Sequence, residues 1–139
     1  MRKDGKTELL KNVPLFARCN KKQLEAVARI ADLLQMPAGT VLVKEGSQTR
    51  DFVIIVSGAA EARRRGRTYA TLGAGDFFGE VALVAGGPRR VTMTTTAETE
   101  LLVINDREFW TMLETAPEIQ TRLLKALGER LRSLDEHDA

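Results

Sequence analysis

The 139-residue chain holds one cysteine, Cys19, and one histidine, His137. A lone cysteine excludes an internal disulfide and a cysteine-based zinc site. A lone histidine in a polar tail leaves no material for a histidine-rich metal centre or a Ser-His-Asp triad. No catalytic and no metal-ligating residue is therefore expected, and the chain reads as a non-enzyme. No apolar run approaches the roughly 18 residues that cross a bilayer, so no membrane segment is expected. Residues 1–6 are basic but no apolar stretch follows them. A secretory signal is thus not expected, and the expected location is cytoplasmic. The length also rules out a two-domain enzyme with a cleft between its halves.

Charge of either sign is nearly balanced, with 21 basic and 19 acidic residues and a net charge of +2. The positive charge is uneven. Residues 1–22 carry seven Lys/Arg against Asp4 and Glu8, and Arg63-Arg64-Arg65-Gly66-Arg67 forms a second cluster, while the tail from Asp135 to Asp138 is acidic. This allows an anionic ligand or surface but is weak support for nucleic acid. The hairpin tip of a β structure is the blander reading of the second cluster.

What is present has a layered texture. Leu9, Leu10, Val13 and Phe16 fall at near-helical spacing, broken by Pro14. Asn20 with Gln23 reads as a capping box. Leu24, Val27, Ala28, Ile30, Ala31 and Leu34 then continue an apolar helical stripe up to Pro37-Ala38-Gly39, which ends it. After Gly39, glycines separate short β-rich runs: 40–44, 52–57, 59–64, 68–72, 91–96 and 100–104. Strands at about ten-residue spacing predict a sandwich, barrel or jelly roll rather than βαβ units. Phe52 to Val56 is the most apolar run and is expected to be central. Asn105 or Asp106 caps a further helix through Phe109, Trp110 and Leu113, with Trp110 expected in the core. Pro117 suits the start of a last helix. There Ile119, Leu123, Leu124, Leu127, Leu131 and Leu134 form one apolar stripe, able to pack back on the β part or against a partner's copy. The expected organisation is a single domain over 1–139, with a helical lead-in at about 7–36, a β portion at about 38–105 and C-terminal helices at about 106–134.

The chemistry concentrates between Leu72 and Thr92. Gly79 lets the backbone approach a ligand or adopt a positive φ. Residues after it present free N–H groups at the start of a one-turn helix, which suit a phosphate. Arg89 supplies a charged fork for two phosphate oxygens, and Glu80 an acceptor for sugar hydroxyls. One hydroxyl acceptor beside one fork for a single anionic group is shaped for a nucleotide. Phe77 and Phe78 read as one core ring and one partly exposed ring. A structural Glu80–Arg89 ion pair in a ligand-free domain is the alternative.

Phe78-Gly79-Glu80-Val81-Ala82-Leu83, then four residues, then Pro88-Arg89-Arg90-Val91-Thr92 resembles the phosphate-binding cassette of the cyclic-nucleotide-binding domain family. Gly73, Gly75 and Asp76, Glu45-Gly46, and Asp51 to Ile54 ending at Ser57-Gly58 resemble its flanking turns and strands. The resemblance covers about residues 12–134. It implies a mainly β fold with flanking helices, a jelly-roll-like double-stranded β-helix or β roll with short N-terminal helices and two C-terminal helices. It implies a regulatory module that binds a 3′,5′-cyclic nucleotide and needs no cofactor beyond that ligand. The ligand-binding residues carried over are Gly79, Glu80, Val81, Ala82, Arg89, Arg90, Val91 and Thr92. Arg89 would take the exocyclic phosphate oxygens, Glu80 the ribose 2′-hydroxyl, and the Ala82 N–H the phosphate, with Thr92 facing the pocket. Arg90 stands where a threonine would favour guanine, so cAMP is expected over cGMP; Val91 stands where the family has alanine, a mild and tolerated increase in bulk. Binding would be passed on through residues 106–134 to an effector protein or a homodimer partner. Nucleic acid is not expected as a partner without a separate DNA-binding module. A degenerate domain serving protein interaction or dimerisation is the runner-up. A cupin-like enzyme is third, disfavoured by the absence of histidines from the β region.

Overall fold

A computed structural model describes the backbone of residues 3–138 and the side chains of residues 5–132. Leu134 and His137 thus lie outside the described side chains. The elements run α1 (Lys3–Lys11), a 3-10 turn (Pro14–Phe16), α2 (Lys21–Ile30), β1 (Asp32–Met36), β2 (Val41–Val43), β3 (Phe52–Ser57), β4 (Ala59–Arg64), β5 (Arg67–Gly73), β6 (Phe77–Phe78), α3 (Glu80–Ala85), β7 (Thr92–Thr95), β8 (Thr99–Ile104), α4 (Asp106–Thr115) and α5 (Glu118–Asp138). Two four-stranded antiparallel sheets result, ordered β1-β8-β3-β6 and β2-β7-β4-β5. This is the β roll with flanking helices.

Two apolar layers hold it together, and β3 explains both. Successive side chains of a strand point to opposite faces. Phe52 and Ile54 pack with Leu102, Ile104, Phe109, Met112 and Ile119 under the helices. Val53 and Ile55 pack with Ala60, Ala62, Leu72, Met93 and Leu101 between the sheets. A strand buried on both faces reads as an unbroken apolar run, as Phe52 to Val56 does. The rings of Phe52 and Phe109 meet at 5.1 Å, tying α4 to that strand.

The helix starts follow their caps. The Asn20 side chain accepts from the Gln23 N–H and the Gln23 side chain from the Asn20 N–H, a complete capping box. Asn105 accepts from the Glu108 N–H and opens α4.

One boundary differs from the sequence expectation. The lead-in helix does not run to residue 36: Ala31 is already extended, and Asp32–Met36 pair with β8 from Val103 to Thr99. Leu34 continues the period of α2, but with Leu33 and Leu34 opposite Leu102 and Leu101 the segment gains a ladder, and tertiary pairing overrides helical propensity. The β portion therefore begins at residue 32 rather than 38. Phe77–Phe78, outside the β-rich runs expected from the sequence, forms a short strand against Ile54 and Val53.

Candidate functional site

The β6–α3 junction is built around Gly79. Its φ is +105°, and a Cβ there would run into the Asp51 carbonyl oxygen and come within 3.2 Å of Arg89 Nη1. Only glycine lets the chain turn there against Asp51, and this turn aims the start of α3 at Arg89. α3 is a six-residue helix whose first N–H groups have no intrahelical partner, as at any helix N-terminus.

Arg89 is buried, at 7% exposure. Two backbone bonds fix its position: the Gly46 N–H donates to the Arg89 carbonyl at 2.7 Å, and the Arg89 N–H to the Ser47 carbonyl at 2.8 Å. Its guanidinium donates to Thr49 Oγ1 from Nε at 3.2 Å and to the Asp51 carbonyl from Nη2 at 2.8 Å. Burial pulls its pKa below the ordinary arginine value, with Asp51 and Glu80 acting upward and Arg50 downward. The fork is thus oriented in advance, at a place where an anion would recover the charge's lost solvation.

Glu80 is fully buried. Its carboxylate accepts from Arg130 Nη1 at 2.7 and 2.8 Å, one contact to each oxygen. Arg130 Nη2 also donates to the Phe77 carbonyl, and its guanidinium carbon lies 4.9 Å from the Phe77 ring centre. Burial pushes the Glu80 pKa up, while Arg130, the residue's own N–H and Arg89 act in the other direction.

These groups face an open cavity of about 480 Å³. Its floor is the second sheet, through Val43, Ala62, Leu72 and Met93, and α5 contributes Glu129, Arg130 and Leu131 to its side. Of the residues expected from sequence, Gly79, Glu80, Val81, Ala82, Arg89, Arg90 and Val91 all stand on the cavity wall. Arg90 is exposed, Val81 and Val91 half-buried. Thr92 is not on the wall; its hydroxyl accepts the Glu45 N–H at 3.0 Å. Among the described residues no group of His, Cys, Asp and Glu could hold a metal ion. No helix of the described residues is long and apolar enough to cross a membrane.

The aromatic expectations divide. Phe78 is buried and Phe77 half-buried. Trp110, expected in the core, is 43% exposed instead. The Asn105 cap sets the phase of α4 so that Phe109 and Met112 point inward. Trp110 is left at the edge, its Nε1 donating to Asp106 Oδ1 at 3.1 Å. It lines a smaller apolar cavity of about 190 Å³ with Val84, Leu113, Leu124 and Leu127.

Sequence reasoning missed Arg130, Thr49 and Asp51. Arg130 leaves a faint trace: it falls seven residues after the buried Leu123, so it is a charge on the apolar face of α5. Thr49 leaves none, because one loop threonine looks like any other until the fold sets it beside Arg89, and the Asp51 carbonyl leaves none, because a backbone acceptor has no side-chain signature.

Residues 33–116 match the family described as "cyclic nucleotide-binding domain". The chain is 30% identical over 114 residues to the Pycsar effector protein XpPycTIR of Xanthomonas perforans, covering 81% of this chain and 38% of that protein. It is 32% identical over 123 residues to a cyclic nucleotide-gated potassium channel of Rhizobium etli, covering 88% of this chain and 34% of the channel. The chain thus spans little more than a third of the length of either relative. The regulatory domain of Toxoplasma gondii PKA, solved with cAMP, superposes with a TM-score of 0.81 at 22% identity, over 92% of this chain and 50% of that one.

Proposed function

We propose, from the premise that the chain belongs to the family of cyclic nucleotide-binding domains, that it senses cAMP and reports it through α5. The observation that carries this is Arg89: a buried guanidinium held by Thr49 and Asp51, on the wall of a cavity that also presents the start of α3. A cyclic phosphate is a single negative charge with two exocyclic oxygens, and a guanidinium fork matches such a pair. The N–H groups of Val81 and Ala82 donate from the other side, and Gly79 makes room for the close approach. Arg90 stands at the rim where a threonine would favour guanine, and the absence of that threonine supports cAMP over cGMP. The neighbour solved with cAMP lends further support.

Transmission follows from Glu80. Its carboxylate is the acceptor for a ribose hydroxyl, and the same oxygens hold Arg130 of α5. Ligand and helix therefore share one carboxylate. A nucleotide that prefers one arrangement of that pair over the other shifts α5 by its differential affinity. The whole domain over 1–139 acts as one regulatory unit, and α5 hands the signal to an effector or a second copy.

Titration calorimetry with cAMP and cGMP, on the wild type and on Arg89→Ala, tests the reading. Two charge-assisted hydrogen bonds are at stake, so Arg89→Ala is expected to weaken cAMP by about 100-fold or more. A well-folded wild type that takes up neither nucleotide would overturn the reading. Equal affinity for cAMP in both proteins would remove Arg89 from the site.

A further inference from the structure

The chain's net charge is only +2, yet one end of the second sheet is strongly basic. The β4–β5 turn brings Arg63, Arg64, Arg65 and Arg67 together within five residues. The sheet register sets this turn beside the cavity. Arg63 pairs with Thr92 at the start of β7, close in sequence to Arg90 and the buried Arg89. The β2 end joins them: the Glu45 N–H donates to the Thr92 hydroxyl, and the Glu45 carboxylate accepts the Arg65 N–H at 3.0 Å. Lys44 is next to it in sequence. Seven basic side chains, the buried Arg89 among them, thus share this end with two carboxylates, Glu45 and Glu61, the latter 3.6 Å from Arg63.

The turn is also stiff. Arg65 and Gly66 both have positive φ, +53° and +78°, the twist that suits a two-residue hairpin. Arg63 Nη2 closes it by donating to the Gly66 carbonyl at 2.9 Å. From this tip β5 runs directly into the cavity wall, where Tyr69 is the first residue to line it. Arg67 is two residues earlier, about 7 Å along an extended strand. That is within the roughly 8–10 Å over which charge is felt at physiological salt. On the far wall Arg130 is matched by Glu80 and Glu129 stands beside it, whereas the hairpin side holds more basic side chains than carboxylates.

We propose that this basic rim steers the anionic nucleotide into the cavity, raising its capture rate without holding it once bound. The proposal rests on the cyclic-nucleotide reading of the site. Charge at a distance acts on encounter, so it changes the association rate and its salt dependence, whereas a direct contact changes dissociation. Clustering matters more than total charge, because the local field and not the sum over the molecule guides a small anion.

The experiment is stopped-flow binding of a cAMP analogue with a fluorophore on the adenine, to the wild type and to Arg65→Gln/Arg67→Gln. Both positions are exposed at the tip, and a matching thermal melt checks folding. At low ionic strength the double variant is expected to associate about threefold or more slowly. Its dissociation rate should be unchanged, and the difference should vanish near 0.5 M salt, where screening shortens to roughly 4 Å, well short of the distance from Arg67 to the cavity wall. Arg65→Glu/Arg67→Glu should enlarge the gap. Equal association rates at low salt would overturn the proposal. A faster dissociation that persists at high salt would also overturn it, by making the hairpin a contact. A wild type that binds no cyclic nucleotide would instead bring down the reading of the site itself, and steering with it.

Discussion

Gly79 sits where the Asp51 carbonyl, the Arg89 guanidinium and the start of α3 converge. Gly79→Ala must either push Asp51 away or abandon the positive φ, and each route disturbs both the first turn of α3 and the anchor of Arg89. A loss of about 1–3 kcal/mol in folding stability is expected, measured by denaturant unfolding, together with weaker nucleotide binding. Glu80 makes a prediction in pH. Its folded-state pKa is raised by burial above the ordinary value of 4.5. Between that value and the raised one, the folded chain binds more protons than the unfolded chain. The contribution of Glu80 to stability is therefore full below the ordinary value and is lost as pH rises through the raised one. Denaturant midpoints taken as pH rises from the ordinary value of 4.5 should show this slope, and Glu80→Gln should flatten it. An identical slope in the variant would assign it to other carboxylates.

At the scale of elements, α5 is two helices in one. Its first turns are structural: Ile119 is fully buried and Leu123 nearly so, under the sheet with Phe109 and Met112. Leu124 is 67% exposed. Ile119→Ala is expected to cost about 2–5 kcal/mol by leaving a cavity, whereas Leu124→Ala should stay within about 0.5 kcal/mol in the isolated chain. Thermal or denaturant melts of the two variants separate these outcomes. The same element shows where sequence is a poor guide. The strands 52–57 and 59–64 were legible to the residue, because the β-branched apolar run of the first, the Ala60-Glu61-Ala62-Arg63 alternation of the second and the glycine at 58 agree. β1 was not, since Leu34 keeps the phase of α2 and only the partners of Leu33 and Leu34 across the sheet, Leu102 and Leu101, decide the matter. The stretch from Gly79 to Val91 could be placed in the site because it is continuous. Arg130, fifty residues beyond Glu80, could not, because the fold alone brings the two together.

For the whole molecule, the cavity is a meeting point of three parts: the second sheet, the α3 segment and α5. Saturating cAMP should lower amide hydrogen exchange in residues 79–89 and change it in α5, while the paired centre of β3 and β8 stays as protected as before. Unaltered exchange throughout α5 at saturation would remove that helix from the output path. Trp110 gives the same question an optical form. It is the chain's one tryptophan, set edge-on to Phe109 at 5.2 Å. It faces the small apolar cavity lined by Val84 of α3 and Leu124 of α5. An indole at such a junction changes colour and brightness with the water around it. The domain thus contains its own dye, placed where α3 meets α5. A shift of its emission on adding cAMP would follow, without any label, each opening or closing of that seam.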